Sequence, residues 1–155
     1  MVFMHMADAL LSPAVGGVMW VAAAGTLAYS ATKLSKGDLE DLDNPKSISF
    51  DKKIPLMGVL GAFVFASQMI NFTIPGTGSS GHIGGGILLA SLLGPEAGFL
   101  TIASVLVIQC LFFADGGLLA LGCNMINMGF FACFIGFPFI YKKILKNGFT
   151  PTKIM

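Results

Sequence analysis

Ile83-Gly84-Gly85-Gly86-Ile87-Leu88-Leu89-Ala90-Ser91-Leu92-Leu93-Gly94 decides how many times this chain crosses a membrane. As an α-helix rising about 1.5 Å per residue, the stretch covers only about 18 Å, short of a hydrocarbon core about 30 Å thick. On length alone it is either a short tilted span or a re-entrant helix shielded by its neighbours. The longer apolar stretches on either side, Pro13 to Thr32, Ile54 to Pro75, Ala97 to Ala114 and Leu118 to Tyr141, each come close to the roughly 20 residues a full crossing needs.

Charge placement chooses between the two readings. The nine basic residues are all lysines and occupy two regions: Lys33, Lys36, Lys46, Lys52 and Lys53 in the first loop, and Lys142, Lys143, Lys146 and Lys153 in the tail. Positive loops stay in the cytoplasm, so the chain must cross an even number of times between Ile54 and Tyr141. Counting Ile83 to Gly94 as a crossing satisfies this. The expectation is an all-α integral membrane protein: a polytopic helical bundle of about five segments, amino terminus outside and carboxyl terminus cytoplasmic, in a single domain over 1–155. Pro95-Glu96 then forms an inner turn, and Asp115-Gly116-Gly117 lies near the outer face.

Composition agrees with the membrane assignment, since 55% of residues are hydrophobic, 11% are charged, and the mean hydropathy is +0.82. A net charge of +1 without any basic run gives no reason to expect nucleic acid. No basic n-region precedes the first apolar run, so an uncleaved amino terminus is expected. The polar stretch Ser35 to Lys53 reads as a solvated connection. Cys110, Cys123 and Cys133 lie in apolar segments without CxxC spacing and read as buried reduced thiols. Met125 and Met128 read as core filling.

The chain has two histidines, and both stand where an imidazole is conspicuous. His82 opens the short apolar stretch; Ser79 or Ser80 is expected to cap a helix beginning near Ile83, whose positive end keeps the ring neutral, as a metal ligand requires. The bland alternative is a ring merely bonded to a loop carbonyl. His5 belongs to Met4-His5-Met6-Ala7-Asp8-Ala9-Leu10-Leu11-Ser12-Pro13, which is too apolar for a disordered tail and is expected to insert into the bundle; an incidental, solvated histidine is the alternative. With Met4 as the first residue, its amine, the His5 main-chain nitrogen and the His5 ring form fused chelate rings, and His82 closes a square suited to nickel(II) or copper(II). Gln109, Asp115, Asn124 and Asn127, together with Asp8, are candidates for a supporting shell around those ligands. Asn124 and Asn127, three residues apart, are expected on one helical face. Gln68 and Asn71 are further polar residues of the spans. Ordinary interhelical hydrogen bonding uses the same residue types.

Four blocks then carry a resemblance. Met4 to Pro13, Gly78-Ser79-Ser80-Gly81-His82-Ile83-Gly84-Gly85-Gly86 with Leu93-Gly94-Pro95, Gln109 to Gly117, and Gly122-Cys123-Asn124-Met125-Ile126-Asn127-Met128 together resemble the CbiM/NikM family, the cobalt- or nickel-specific substrate-binding (S) components of energy-coupling factor transporters. The resemblance implies an amino-terminal segment plugged into the bundle and a transported Co2+ or Ni2+ held through Met4, His5 and His82, with no resident cofactor. It also implies partners: a membrane-embedded T component, a cytoplasmic ATPase pair and a small accessory membrane subunit. Family members usually begin at the methionine matching Met4, so a start there is expected, and they usually continue with one or two more spans, so a short form or a piece is expected here.

The expected function is therefore a subunit of an ATP-driven importer in the cell membrane. The chain has no phosphate-binding GxxxxGK[ST] loop, which leaves hydrolysis to the partners, and no HExxH, which speaks against the alternative of an intramembrane metalloenzyme. A structural membrane subunit without ligand is the other alternative. Planar nitrogen ligation favours nickel, whereas the resemblance to the cobalamin-associated branch tips the expectation slightly to cobalt.

Overall fold

Each of the five apolar stretches contributes a helical arm. The computed structural model describes residues 5–40, 50–70, 72–73, 80–141 and 143. A single turn at Asp8–Leu10 leads into α1 (Pro13–Glu40). The others are α2 (Phe50–Met69), α3 (Gly86–Leu93), α4 (Pro95–Phe113), α5 (Leu121–Asn124) and α6 (Met125–Tyr141), which continues α5 as a π-wound helix. Between α2 and α3, β1 (Phe72–Thr73) pairs antiparallel with β2 (Ser80–Gly81), Phe72 opposite Gly81 and Thr73 opposite Ser80.

Several expected boundaries move. α1 runs past Thr32 into the polar stretch, because no proline interrupts its hydrogen-bond ladder before Pro45. α2 stops at Met69 rather than reaching Pro75, because Phe72 and Thr73 suit the extended pair that follows. The stretch 83–94 is not one twelve-residue helix: α3 has eight residues, covers about 12 Å, and begins at Gly86. Gly85 precedes it at φ +73°, a left-handed conformation, and a Cβ there would lie 2.5 Å from Val64 Cγ1. The expected serine cap does not form: Gly85 occupies the cap position without a side-chain bond, and Ser80 lies in β2. Ser79, Asn71 and Met4 lie outside the described residues.

The arms still alternate in direction as the charge pattern requires. The chain reverses at Gly94, Pro95 opens α4 where a missing N–H is harmless, and α4 runs back along α3. Near one end, Trp20 Nε1 donates to the Leu118 carbonyl (3.0 Å) and Gln109 Nε2 to Gln68 Oε1 (2.9 Å). Near the other, Lys33 of α1 pairs with Glu96 in the first turn of α4. Among the described residues three helices are long and apolar enough to cross a membrane unaided, Pro13–Lys36, Pro95–Phe113 and Leu121–Phe139, whereas the apolar part of α2 is Lys53–Met69.

The outward surface shows which solvent this bundle expects. Val18, Val21, Val59, Phe63, Leu111, Phe112 and Phe139 are exposed, Phe112 at 78%; a belt this apolar suits hydrocarbon, not water. Thr26, Ser67, Thr101 and Ser104 bond back to Ala22, Phe63, Ala97 and Leu100 of their own helices, as suits a medium without water. The interior gathers Val64, Leu89, Phe99, Ile102, Leu106 and Met125. Met128 packs against the same core, and Cys123 and Cys133 are buried free thiols while Cys110 is half-buried.

Candidate metal site

Three connecting pieces meet at the Trp20–Leu118 end of the bundle: the segment before α1, the stretch before α3, and the turn from Ala114 to Ala120. The first is laid against the third by main-chain bonds. Gly117 N–H donates to the Met6 carbonyl (3.1 Å), Met6 N–H donates to Asn124 Oδ1 (3.2 Å), and Asn124 Nδ2 donates back to the Met6 carbonyl (3.5 Å). Ala120 N–H donates to Asp8 Oδ1 (2.9 Å). The approach is close enough that a Cβ at Gly117 would overlap the Asp8 carboxylate. The expected insertion of the amino-terminal segment is thus seen from His5 onward.

That docking buries His5, 6% exposed, against both remaining pieces. Its Nδ1 lies 3.1 Å from Asp115 Oδ2, and its ring centroid lies 5.1 Å from that of His82, with the planes inclined by 54°. His5 Nε2 is buried without a hydrogen-bond partner among the described residues. Burial pushes the His5 imidazole below its ordinary value of 6.5; the Asp115 carboxylate pulls the other way, and His82 adds to the lowering. His82 is half-buried, with Nδ1 3.1 Å from the Ile83 carbonyl. A carbonyl only accepts, so in this contact Nδ1 is the donor.

The remaining candidates sort by what they touch. Asp115 stands against His5; Asn124 bonds the main chain of Met6, next to it, and Asp8 accepts from the Ala120 N–H. Asn127 is exposed and not brought to the site; π winding advances each residue by a smaller angle than α winding, so three residues no longer return to one face. Gln109 is completely buried and tied to Gln68, which donates from Nε2 to the Gly84 carbonyl (3.0 Å). Sequence reasoning noticed Gln68 but gave it no place near the site; two amides buried in apolar helices were the available signal. Gly116-Gly117 marked a turn without revealing that the amino-terminal segment lies on it.

The donors present can serve a metal only in part. Among the described residues no three His, Cys, Asp or Glu side chains cluster closely enough to hold an ion. Two imidazoles converge, a pair of nitrogen donors of the kind that nickel, copper and cobalt take.

Comparison with known proteins decides the lineage. The CbiM family, described as "Cobalt uptake substrate-specific transmembrane region", matches residues 5–155. The chain belongs to the CbiM family. A fused nickel transport protein NikMN of Rhodobacter capsulatus is 37% identical over 125 residues, 81% of this chain and 33% of that protein. A relative from Archaeoglobus fulgidus, whose name refers to nickel transport, is 40% identical over 91% of this chain and 42% of its own. A cobalt transport protein CbiM of Geobacter sulfurreducens is 29% identical over 94% and 39%. A crystal structure of a transition metal transporter superposes with a TM-score of 0.79 at 37% identity, covering 95% of this chain and 59% of that one. A truncated transition metal transporter gives 0.78, also at 37%, covering 95% and 63%. The CbiM-family chain thus spans less than two thirds of each of these proteins. The helical membrane architecture expected from the sequence is the one these transporters share.

Proposed function

We propose that this chain is the metal-capturing membrane component of an importer for divalent cobalt or nickel, with His5 and His82 as its imidazole ligands. The observation that supports this best is the pairing of the two histidine rings, with centroids 5.1 Å apart and His5 buried. That separation suits two rings sharing one ion through bonds of about 2 Å. Met4 supplies the terminal amine if it is the first residue, and the His5 main-chain nitrogen lies between amine and ring. A chelate through that nitrogen closes on Nδ1, the atom now facing Asp115, so loading by this mode exchanges the carboxylate contact for the ion.

The ion enters from outside the cell membrane, at the end where the amino-terminal segment docks, and leaves inward when partners hydrolyse ATP. Those partners are a T component, a cytoplasmic ATPase pair and a small accessory subunit of the energy-coupling factor type. The cargo is cobalt in the slightly preferred reading, for cobalamin synthesis, and nickel otherwise; family and relative names include both metals. The relatives named above are transport proteins, which favours a transporter subunit over an enzyme.

The test is metal analysis of the purified chain after incubation with Ni2+ and Co2+ in turn, with its amino terminus determined. One ion per chain is expected, ranked between the two metals and lost in His5→Ala and His82→Ala. Uptake by cells that is unchanged in His82→Ala would sink the proposal.

A further inference from the structure

One residue reaches toward both arms of the site without touching either imidazole. The Gln109 carbonyl accepts the N–H of Asp115 (3.1 Å), which places that carboxylate beside His5. Its side chain donates to Gln68 Oε1 (2.9 Å), and Gln68 donates to the Gly84 carbonyl (3.0 Å), two residues beyond His82. Gln68 and Gln109 are each fully buried, and they come from different helices, α2 and α4. Simple helix pairing through two amides would not require the second bond, to the main chain of the stretch before α3. Among the described residues that stretch is otherwise placed by the β1–β2 pair before it, by Gly85 turning left-handed against Val64 and by the His5 ring beside His82; His82–Gly85 is not helical, and Gly84 has open space where a Cβ would stand.

We infer that Gln68 and Gln109 are positioning residues for metal capture: a buried amide brace that sets the separation of the His82 and His5 rings and thereby the coordination geometry offered to the ion. The inference rests on the proposed function for its metal and on the hydrogen bonds alone for the brace. Gln68 suits the task because its amide accepts from Gln109 and donates to Gly84 along one chain of bonds, while Gln109 Oε1 is buried with no hydrogen-bond partner among the described residues. The Gln68–Gln109 bond is buried and so costly to leave unmade, and through Gln68 it holds the more exposed Gly84 in register. Partners that orient metal ligands typically matter by 10–100-fold in affinity.

Gln68→Met removes the brace at nearly constant volume but strands Gln109 Nε2 and the Gly84 carbonyl. The double variant Gln68→Met/Gln109→Met removes both amides together, which is gentler on folding because both partners of the bond become apolar. Each full chain is purified in detergent, its metal-free amide exchange is mapped, and it is then titrated with Ni2+ alone and Co2+ alone while its visible spectrum is recorded. The expected result is faster exchange confined to residues 82–86, Ni2+ affinity about 10–100-fold weaker, and a displaced nickel absorption band. Thr101→Val, which loses a buried hydroxyl elsewhere on α4, is expected to leave exchange, affinity and band unchanged.

Unchanged exchange over 82–86 in the double variant overturns the brace. Faster exchange with parental affinity and spectrum overturns its role in metal geometry, leaving a packing role only. A parent chain that binds neither metal overturns the proposed function instead, and the exchange measurement still decides the brace.

Discussion

At the residue scale, His5 is placed by its neighbours' main-chain bonds rather than by its own. Met6 is gripped on both its N–H and its carbonyl, by Asn124 and Gly117, and Asp8 is anchored on Ala120. Gly117→Ala puts a methyl into the space of the Asp8 carboxylate; an overlap of that kind costs about 1–3 kcal/mol, here levied on docking of the segment. Nickel affinity is expected to fall about 5- to 150-fold, since about 1.4 kcal/mol is tenfold, with helix content by circular dichroism unchanged; full affinity would show that docking does not depend on this contact. The lowered His5 value makes a second prediction. The unfolded chain takes up its proton near the ordinary 6.5 while the folded chain resists, so stability present above 6.5 is lost as pH falls through the lowered folded value. The melting temperature of the metal-free protein is expected to drop between pH 7.5 and 5.5, and to drop less in His5→Asn. Much of this scale was legible: two scarce histidines in an apolar chain singled themselves out, and Asp115 and Asn124 were named as support. The Gln68–Gln109–Gly84 connection was not, because nothing in sequence spacing links residues that far apart.

At the element scale, helix ends carry the site, and they were the least legible feature. The five apolar stretches are all helical in part, yet three glycines moved the start of α3 from Ile83 to Gly86, and that shift leaves His82 in a loop instead of at a capped helix end. Helix propensity separates Gly from Ala by only about 1 kcal/mol, so the run marked a weak start without locating it; contact of Gly85 with Val64 located it. Asn127 was misplaced because the π winding of α6 is invisible to a three-residue spacing rule. The far end of α4 makes its own prediction. Ala114 closes that helix at φ +50°, a left-handed conformation that glycine adopts without the strain of a Cβ. Ala114→Gly is expected to gain about 0.5–1 kcal/mol net of the extra freedom it gives the unfolded chain, seen as a higher melting temperature in detergent. Ala103→Gly, buried within the same helix, should lose about 1 kcal/mol. A lower melting temperature for Ala114→Gly would mean that the turn is not held as described.

For the whole molecule, direction follows from charge and contact together. Lys33 pairs with Glu96 at the end of the bundle away from His5, and Lys36 follows on the same helix. If the positive end faces the cytoplasm, an amine-reactive reagent that cannot cross membranes should label these lysines in permeabilised but not intact cells, whereas a tag before His5 should be reached in both. Labelling of Lys33 in intact cells would reverse the proposed orientation and with it the direction of metal entry. The sequence by itself determined the solvent, the helical class, the alternating arms and the two imidazoles, because apolar run length and the scarcity of charge act locally and survive without knowledge of contacts. Only the tertiary structure decided that the segment from Met6 to Asp8 lies on the turn after α4, that His5 faces His82 and Asp115, and that a pair of buried amides reaches the His82 loop. Those are hydrogen bonds and close approaches between pieces distant in the chain, and their geometry exists only once the arms have packed.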